Sequence, residues 1–243
     1  MFRLLLLIAG CALLSALESI APLYRFPGRR LRRALPNIGL TILLVATNLA
    51  LASATALVCA RFARHDLPPW LQLLAGIVAL DFFAYLAHVA MHRTSAGWRF
   101  HRVHHSEVEV NVTTAFRQHP GESIWRILAQ LPPILLLGLP LDVVAIWLAL
   151  SALNAQLEHA NVRMPARLDA LARLVVVTPD MHKVHHSREQ RETDSNYANI
   201  FSIWDRVFGT YTRRTDFATL RYGLDGFDDA GKRLGRLLAI PFD

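Results

Sequence analysis

The chain has 243 residues, 53% of them apolar, with a formal net charge of +7 and a mean hydropathy of +0.29. That hydropathy excludes an ordinary soluble domain, and in so apolar a chain the basic excess points to anionic lipid headgroups rather than nucleic acid. The two cysteines, Cys11 and Cys59, both lie in apolar runs, so neither a disulfide framework nor a thiol redox motif is expected.

Residues 4–23 are apolar apart from Glu18 and predict a first membrane helix. The opening MFRLLLLIAGC resembles a lipoprotein signal, but the apolar run continues past Cys11 without a small-residue cleavage pattern, which favours a retained helix. Residues 34–60 form an uncharged run of 27, longer than the ~20 a spanning helix needs. Residues 70–91 are apolar except for Asp81 and His88, polar groups that need partners inside a membrane. Residues 127–157 carry one charge in 31 positions. One straight helix of that length would reach ~45 Å and overshoot a bilayer. Pro132, Pro133 and the Gly138-Leu139-Pro140 sequence supply breaks, so a hairpin of two short helices is expected.

The loop at 24–33 carries five arginines and the loop at 61–69 two, which places the first loop in the cytoplasm by the positive-inside rule. Residues 92–126 and 158–243 then share the cytoplasmic side of a multi-pass protein of a bacterial inner membrane.

Eleven histidines occur. His101, His104 and His105 stand at i, i+3 and i+4, and His182, His185 and His186 repeat that spacing 81 residues later. Each trio shares one helical face. His88 and His92 form an i, i+4 pair, and His159 ends the hairpin on the same side of the membrane. Neutral imidazole ligates iron, zinc, copper or nickel. A tetrahedral ion uses only four ligands, so this many imidazoles ask for two metal ions, and the trios suit two pseudo-equivalent helices, one per metal. His65 stands alone in a short loop and reads as a solvated residue. His119, in RQHPGE, is a candidate ligand or a partner to one.

Asp81, Tyr85, His88 and His92 fall at steps of four, three and four, one stripe facing the bundle interior. Ligating imidazoles usually donate their outer N–H to a carboxylate or carbonyl, which makes Asp81 an expected acceptor for His88 or His92. Tyr85, Glu158 and Asp180 are expected beside the ligands in the same supporting role, with Glu107 and Glu189 as further carboxylates near the trios.

Read together, DFFAYLAHVAMH, HRVHH, RQHPGE, QLEHAN, HKVHH and SNYANIFSIWDRVFGTY resemble, in order, the motifs of the membrane-bound fatty acid hydroxylase and sterol desaturase superfamily. The likeness covers residues 75–215 as the catalytic region of a single membrane domain, 1–243. Two positions depart from the pattern. Ala155 stands where members often carry His or Asn, leaving Asn154 as a nearby candidate ligand, and Ala198 replaces the usual glycine of an Asn-Tyr-Gly sequence.

The resemblance implies a non-haem diiron oxygenase with two iron ions and O2 as co-substrate. It would hydroxylate or desaturate an unactivated C–H bond of a lipid such as a fatty acyl chain or sterol. No flavin or iron–sulfur motif is visible, so electrons are expected from an external ferredoxin- or cytochrome-type donor. Residues 88–92, HVAMH, lack the glutamate of a zinc protease motif. The alternative without oxygenase activity is a polytopic metal-binding or metal-transport protein, whose ligands would be expected at the bilayer midplane. The expected fold is all-α, with three transmembrane helices, a helical hairpin and a cytoplasmic helical cap that carries both trios.

Overall fold

A computed structural model describes residues 2–26, 30–228 and 233–243. Five long helices form the body: α1 (Phe2–Ile20), α2 (Arg30–Phe62), α3 (Pro69–Arg93), α5 (Glu122–Leu137) and α6 (Leu141–His159). Between them lies α4 (Ser95–His105), and after them come the short helices α7 (Ala166–Ala172), α8 (Pro179–His185), α9 (Gln190–Thr193), α10 (Ile203–Val207) and α11 (Leu234–Ala239). The described residues contain no strand, only three isolated bridges. The fold is all-α, as the hydropathy pattern requires.

Three helices are long and apolar enough to cross a membrane: Ala34–Phe62, Pro69–Arg93 and Leu141–His159. Two of these, α2 and α3, are expected spans, and the third is one arm of the expected hairpin; in α1, the remaining expected span, the apolar stretch among the described side chains is Leu5–Ile20. The loop of five arginines used to orient the chain includes residues 27–29, which lie outside the described residues.

The expected hairpin is α5 and α6, but it turns at one place only. Pro132 and Pro133 lie inside α5, which continues through them to Leu137. Packing against α2 and α3 holds that helix together where the proline rings remove backbone donors. The break comes at Gly138, whose φ of 59° is left-handed and whose N–H bonds to the carbonyl of Ile134. Gly76 of α3 sits against α6 so closely that a Cβ there would meet Val143 at 2.4 Å.

Polar groups in the long helices are tied to the loops. Glu18 of α1 is buried and accepts from the backbone N–H of Val112 and of Asn161, each at 2.7 Å. In α2, Asn37 bonds Glu107 and Thr113 and accepts from Arg117, a fully buried guanidinium that also donates to Ser106 and the Val103 carbonyl. This network fixes α4 and the segment after it against the membrane helices.

Candidate metal centre

Nine of the eleven histidines converge in two groups. The first contains His88 and His92 from α3, His101 and His105 from α4, and His185 from α8. The second contains His104, His159 from α6, His182 and His186. Within a group the candidate ligand nitrogens all lie within 4.8 Å of one another. The groups adjoin, with the His105 and His186 rings stacked at 4.7 Å between centroids.

Each trio is therefore divided between the groups, contrary to the expectation of one trio per metal. Helix geometry explains the division. From position i, position i+4 lies about 40° round the axis in one direction and i+3 about 60° in the other. His101 and His105 turn together while His104 turns away; His182 and His186 turn together while His185 turns away. The two short helices exchange their odd histidine.

The arrangement fits metal ions. In the second group, the Nε2 atom of His159 lies 3.1 Å from that of His104, 3.0 Å from that of His182 and 3.1 Å from that of His186. In the first, the Nε2 atoms of His88 and His101 are 3.0 Å apart. Two nitrogens bound to one ion at ~2.1 Å and at right angles stand about 3.0 Å apart. The Nε2 atoms of His92, His105 and His185 are buried with no hydrogen-bond partner, lone pairs that a cation would satisfy. Burial, then neighbouring imidazoles, holds His104, His105, His182 and His186 well below the usual histidine range, and burial brings His185 to about 3. These rings are neutral at pH 7, the form that binds metal.

The outer nitrogens of the first group are mostly held. His88 Nδ1 lies 2.7 Å from the Tyr197 carbonyl, His185 Nδ1 2.7 Å from the Ser195 carbonyl, and His92 Nδ1 3.4 Å from Asp194. His101 Nδ1 is 3.3 Å from Oε2 of Glu122, a carboxylate whose Oε1 accepts from Arg126 at 2.6 Å. Burial raises the Glu122 carboxyl, but Arg126 and His101 more than reverse this and hold it at about 2. In the second group only His159 Nδ1 has a close acceptor, the Ala155 carbonyl at 2.6 Å.

The supporting residues expected from sequence are placed differently. Asp81 does not hold His88 or His92. Its carboxylate accepts the N–H groups of Ile200 and Phe201 and the indole N–H of Trp204, because about 10 Å of helix rise separates it from His88. Tyr85 shares a hydrogen bond with Thr210 and stacks on Phe208, so it serves packing. Glu158 comes nearest its expected role, 3.8 Å from both His159 Nδ1 and His182 Nε2, and accepts from Asn154. Asn154 also donates to the Asn199 carbonyl and is tied to that loop. Asp180 is half-buried in the first turn of α8, with its Oδ1 unpaired. His119 stands outside both groups, where it accepts from the Gly121 N–H and packs on Phe100. Glu107 serves Arg117 and Asn37 instead of a histidine.

Sequence reasoning missed Glu122 and Asp194, together with the Ser195 and Tyr197 carbonyls. Glu122 lay in the quoted RQHPGE motif, but its partner belongs to a different helix. Lys183 was also missed: fully buried between two trio histidines, it donates to the Ala160 carbonyl at the end of α6.

A cavity of about 190 Å3 reaches His88, His101, His104, His159 and His182 and continues among α2, α3, α5 and α6 past Ala87, Leu148 and Ala152. It joins the histidine groups to the membrane-spanning part of the fold.

Residues 73–210, which contain all nine converging histidines, match the fatty acid hydroxylase family. The chain belongs to that family. It is 33% identical over 177 residues to an ornithine lipid hydroxylase, OlsE, of Rhizobium tropici, covering 72% of this chain and 51% of the relative. The human alkylglycerol monooxygenase is 32% identical over 156 residues, covering 64% and 33%. The fatty acid hydroxylase vlmA of a Lecanicillium species is 27% identical over 163 residues, covering 60% and 44%. The chain thus spans about half the length of the first of these relatives and a third of the second. No solved structure matches it.

Proposed function

We propose that this chain is a membrane-bound diiron oxygenase that hydroxylates a lipid at an unactivated C–H bond, using O2 and electrons from an external ferredoxin- or cytochrome-type carrier. The observation that carries this reading is the pair of adjoining all-imidazole groups opening on a cavity between membrane helices. His88, His92, His101, His105 and His185 would hold one iron and His104, His159, His182 and His186 the other. The chemistry that the iron pair supplies when bound is reductive activation of O2 and oxidation of a C–H bond.

The chain's own residues do the rest. Glu122, Asp194 and the carbonyls of Tyr197 and Ser195 fix the ring orientation of the first group, which preserves the geometry the reaction needs. The small side chains of Ala87, Ala152 and Ala155 leave room for an acyl chain, and Leu148 and Trp147 keep its path dry. A lipid reaches such a cavity from the bilayer, without crossing water. The orientation of the membrane helices inferred from the loop arginines puts the site on the cytoplasmic side, where carriers of electrons are available. Hydroxylation is preferred over desaturation because the relatives named above are hydroxylases and a monooxygenase. A metal carrier is disfavoured by ligands gathered at helix ends instead of the midplane.

The test is to purify the chain, load it with ferrous iron in lipid nanodiscs, and supply reductant with isotopically labelled O2. Labelled oxygen in a lipid hydroxyl group is the expected result. Full iron loading with no labelled lipid under reducing conditions would overturn the assignment.

A further inference from the structure

Residues 160–243 follow the last membrane helix, Leu141–His159, and the expected topology leaves all of them on the cytoplasmic side, in the cap. The depth at which they touch the membrane helices says otherwise. Asp81 is the thirteenth of 25 residues in α3, and it binds the backbone of Ile200 and Phe201 and the indole of Trp204. Its neighbour Phe82 packs on Trp204 and stacks on Phe208. On α6, Ser151 accepts from Asn199 at a point about 12 Å of helix rise from His159. Two helices thus independently place residues 199–208 about 10 Å below the histidine groups. A hydrocarbon core of ~30 Å encloses that level.

The outer surface there is apolar. Ile203, Val207 and Phe208 are exposed, Val207 by 63%. Backbone pairing of Val176 with Phe201 and of Ser202 with Val175 brings in Leu174 and Val175, and α7 adds Leu168 and Leu171, the last 67% exposed. This surface continues the stripe of α3 in which Leu74, Val78, Phe82 and Leu86 stand four residues apart, with Leu74, Val78 and Leu86 exposed and Phe82 stacked on Phe208. The charges in this region are turned inward. Arg206 donates to the carbonyls of Ser202 and Arg173 and lies over the Tyr211 ring, and Arg173 pairs with Asp169 and Tyr211. The irregular backbone is also paired internally: Tyr197 and Ala198 donate to Asp205, Ile200 and Phe201 to Asp81, Val177 to Ile200 and Ser202 to Val175. Non-helical backbone at membrane depth requires such pairing.

The geometry points to residues 168–175 and 203–208 as a wedge sunk into the leaflet nearest the histidine groups, whose occupant is the acyl-chain region of the bilayer itself. Exposed Arg163 and Arg167 precede the wedge and stand where anionic headgroups would meet them. The inference depends on the chain spanning a membrane and is independent of metal and activity.

The test uses the full chain with Cys11 and Cys59 replaced by alanine and one cysteine introduced by Leu171→Cys, Val207→Cys or Asp225→Cys. Each variant carries an environment-sensitive fluorophore in phosphatidylcholine–phosphatidylglycerol vesicles. The wedge predicts that labels at 171 and 207 emit to the blue of the label at 225, are quenched by doxyl groups on lipid acyl chains, and are several-fold less quenched by iodide. Iodide quenching at 171 and 207 equal to that at 225 would overturn it. So would protection from both quenchers, which is the signature of a second protein surface. Two positions on separate segments guard against one substitution disturbing its own site.

Discussion

The two histidine groups use the same i, i+3, i+4 spacing, yet the protein holds them differently. In the first, three of five imidazoles have a hydrogen-bond acceptor for the outer nitrogen, one of them a carboxylate, and the outer nitrogen of a fourth, His101, lies 3.3 Å from the Glu122 carboxylate. In the second, the outer nitrogens of His104, His182 and His186 are buried with no partner, and only His159 is anchored by a carbonyl. Acceptors behind a ligand set its orientation and raise its basicity. The rings of the first group are therefore held more firmly in orientation than those of the second, although the cavity reaches both.

The largest effect should follow from cutting both groups at once. His104→Ala combined with His185→Ala removes one ligand from each and should abolish iron binding and lipid oxidation while the protein stays in the membrane. Iron analysis and membrane fractionation check this. Full iron content would remove the ligand assignment altogether.

Glu122→Gln sharpens the comparison, since it touches only the first group. It should lower metal affinity or activity by roughly 10- to 100-fold. Asp194→Asn should do less, because its contact is longer and its carboxylate is partly exposed. Equal effects from the two would show that the carboxylate behind His101 has no special weight. A chelator should strip iron in two phases, the second group's ion leaving first, with Glu122→Gln narrowing the gap. A single phase in the wild type would break the proposed asymmetry.

Acid should act on the metal-free chain through the same buried rings. His185 is depressed from 6.5 to about 3 in the fold, so between these values the unfolded chain binds the extra proton. Stability is full above the unfolded value and falls as pH drops through that window. Denaturation of apo-protein at pH 7, 6, 5 and 4 should show a steady loss, and bound iron should reduce it. The smallest effect on the metals belongs to Asp81→Asn, which leaves normal iron per folded chain but costs about 1–3 kcal/mol of stability through weakened bonds to Ile200, Phe201 and Trp204. A defect in iron content instead would return Asp81 to the metal site.

Much of this molecule was legible in its sequence because hydropathy and imidazole spacing are local properties. The helices, the hairpin and all nine converging histidines follow from them. What failed depends on which surfaces meet. The stripe from Asp81 to His92 does lie along one helix, but its lower half meets residues 200–210 and only its upper turns reach the histidine groups. Pro132 and Pro133 look like breaks in isolation, yet tertiary packing carries α5 through them. The splitting of each trio was latent in the angles of an α-helix; assigning each ring to a group required knowing that α4 and α8 face each other across both sites.

That splitting is the central claim, and iron stoichiometry in paired alanine variants tests it most directly. If the groups are as described, His105→Ala and His185→Ala lose the same ion, and their double variant still retains the other. His104→Ala and His186→Ala likewise share an ion, whereas combining His104→Ala with His105→Ala, neighbours in one motif, empties both sites. The contradicting result is loss grouped by trio: one iron retained after His104→Ala with His105→Ala, and both lost after His105→Ala with His185→Ala.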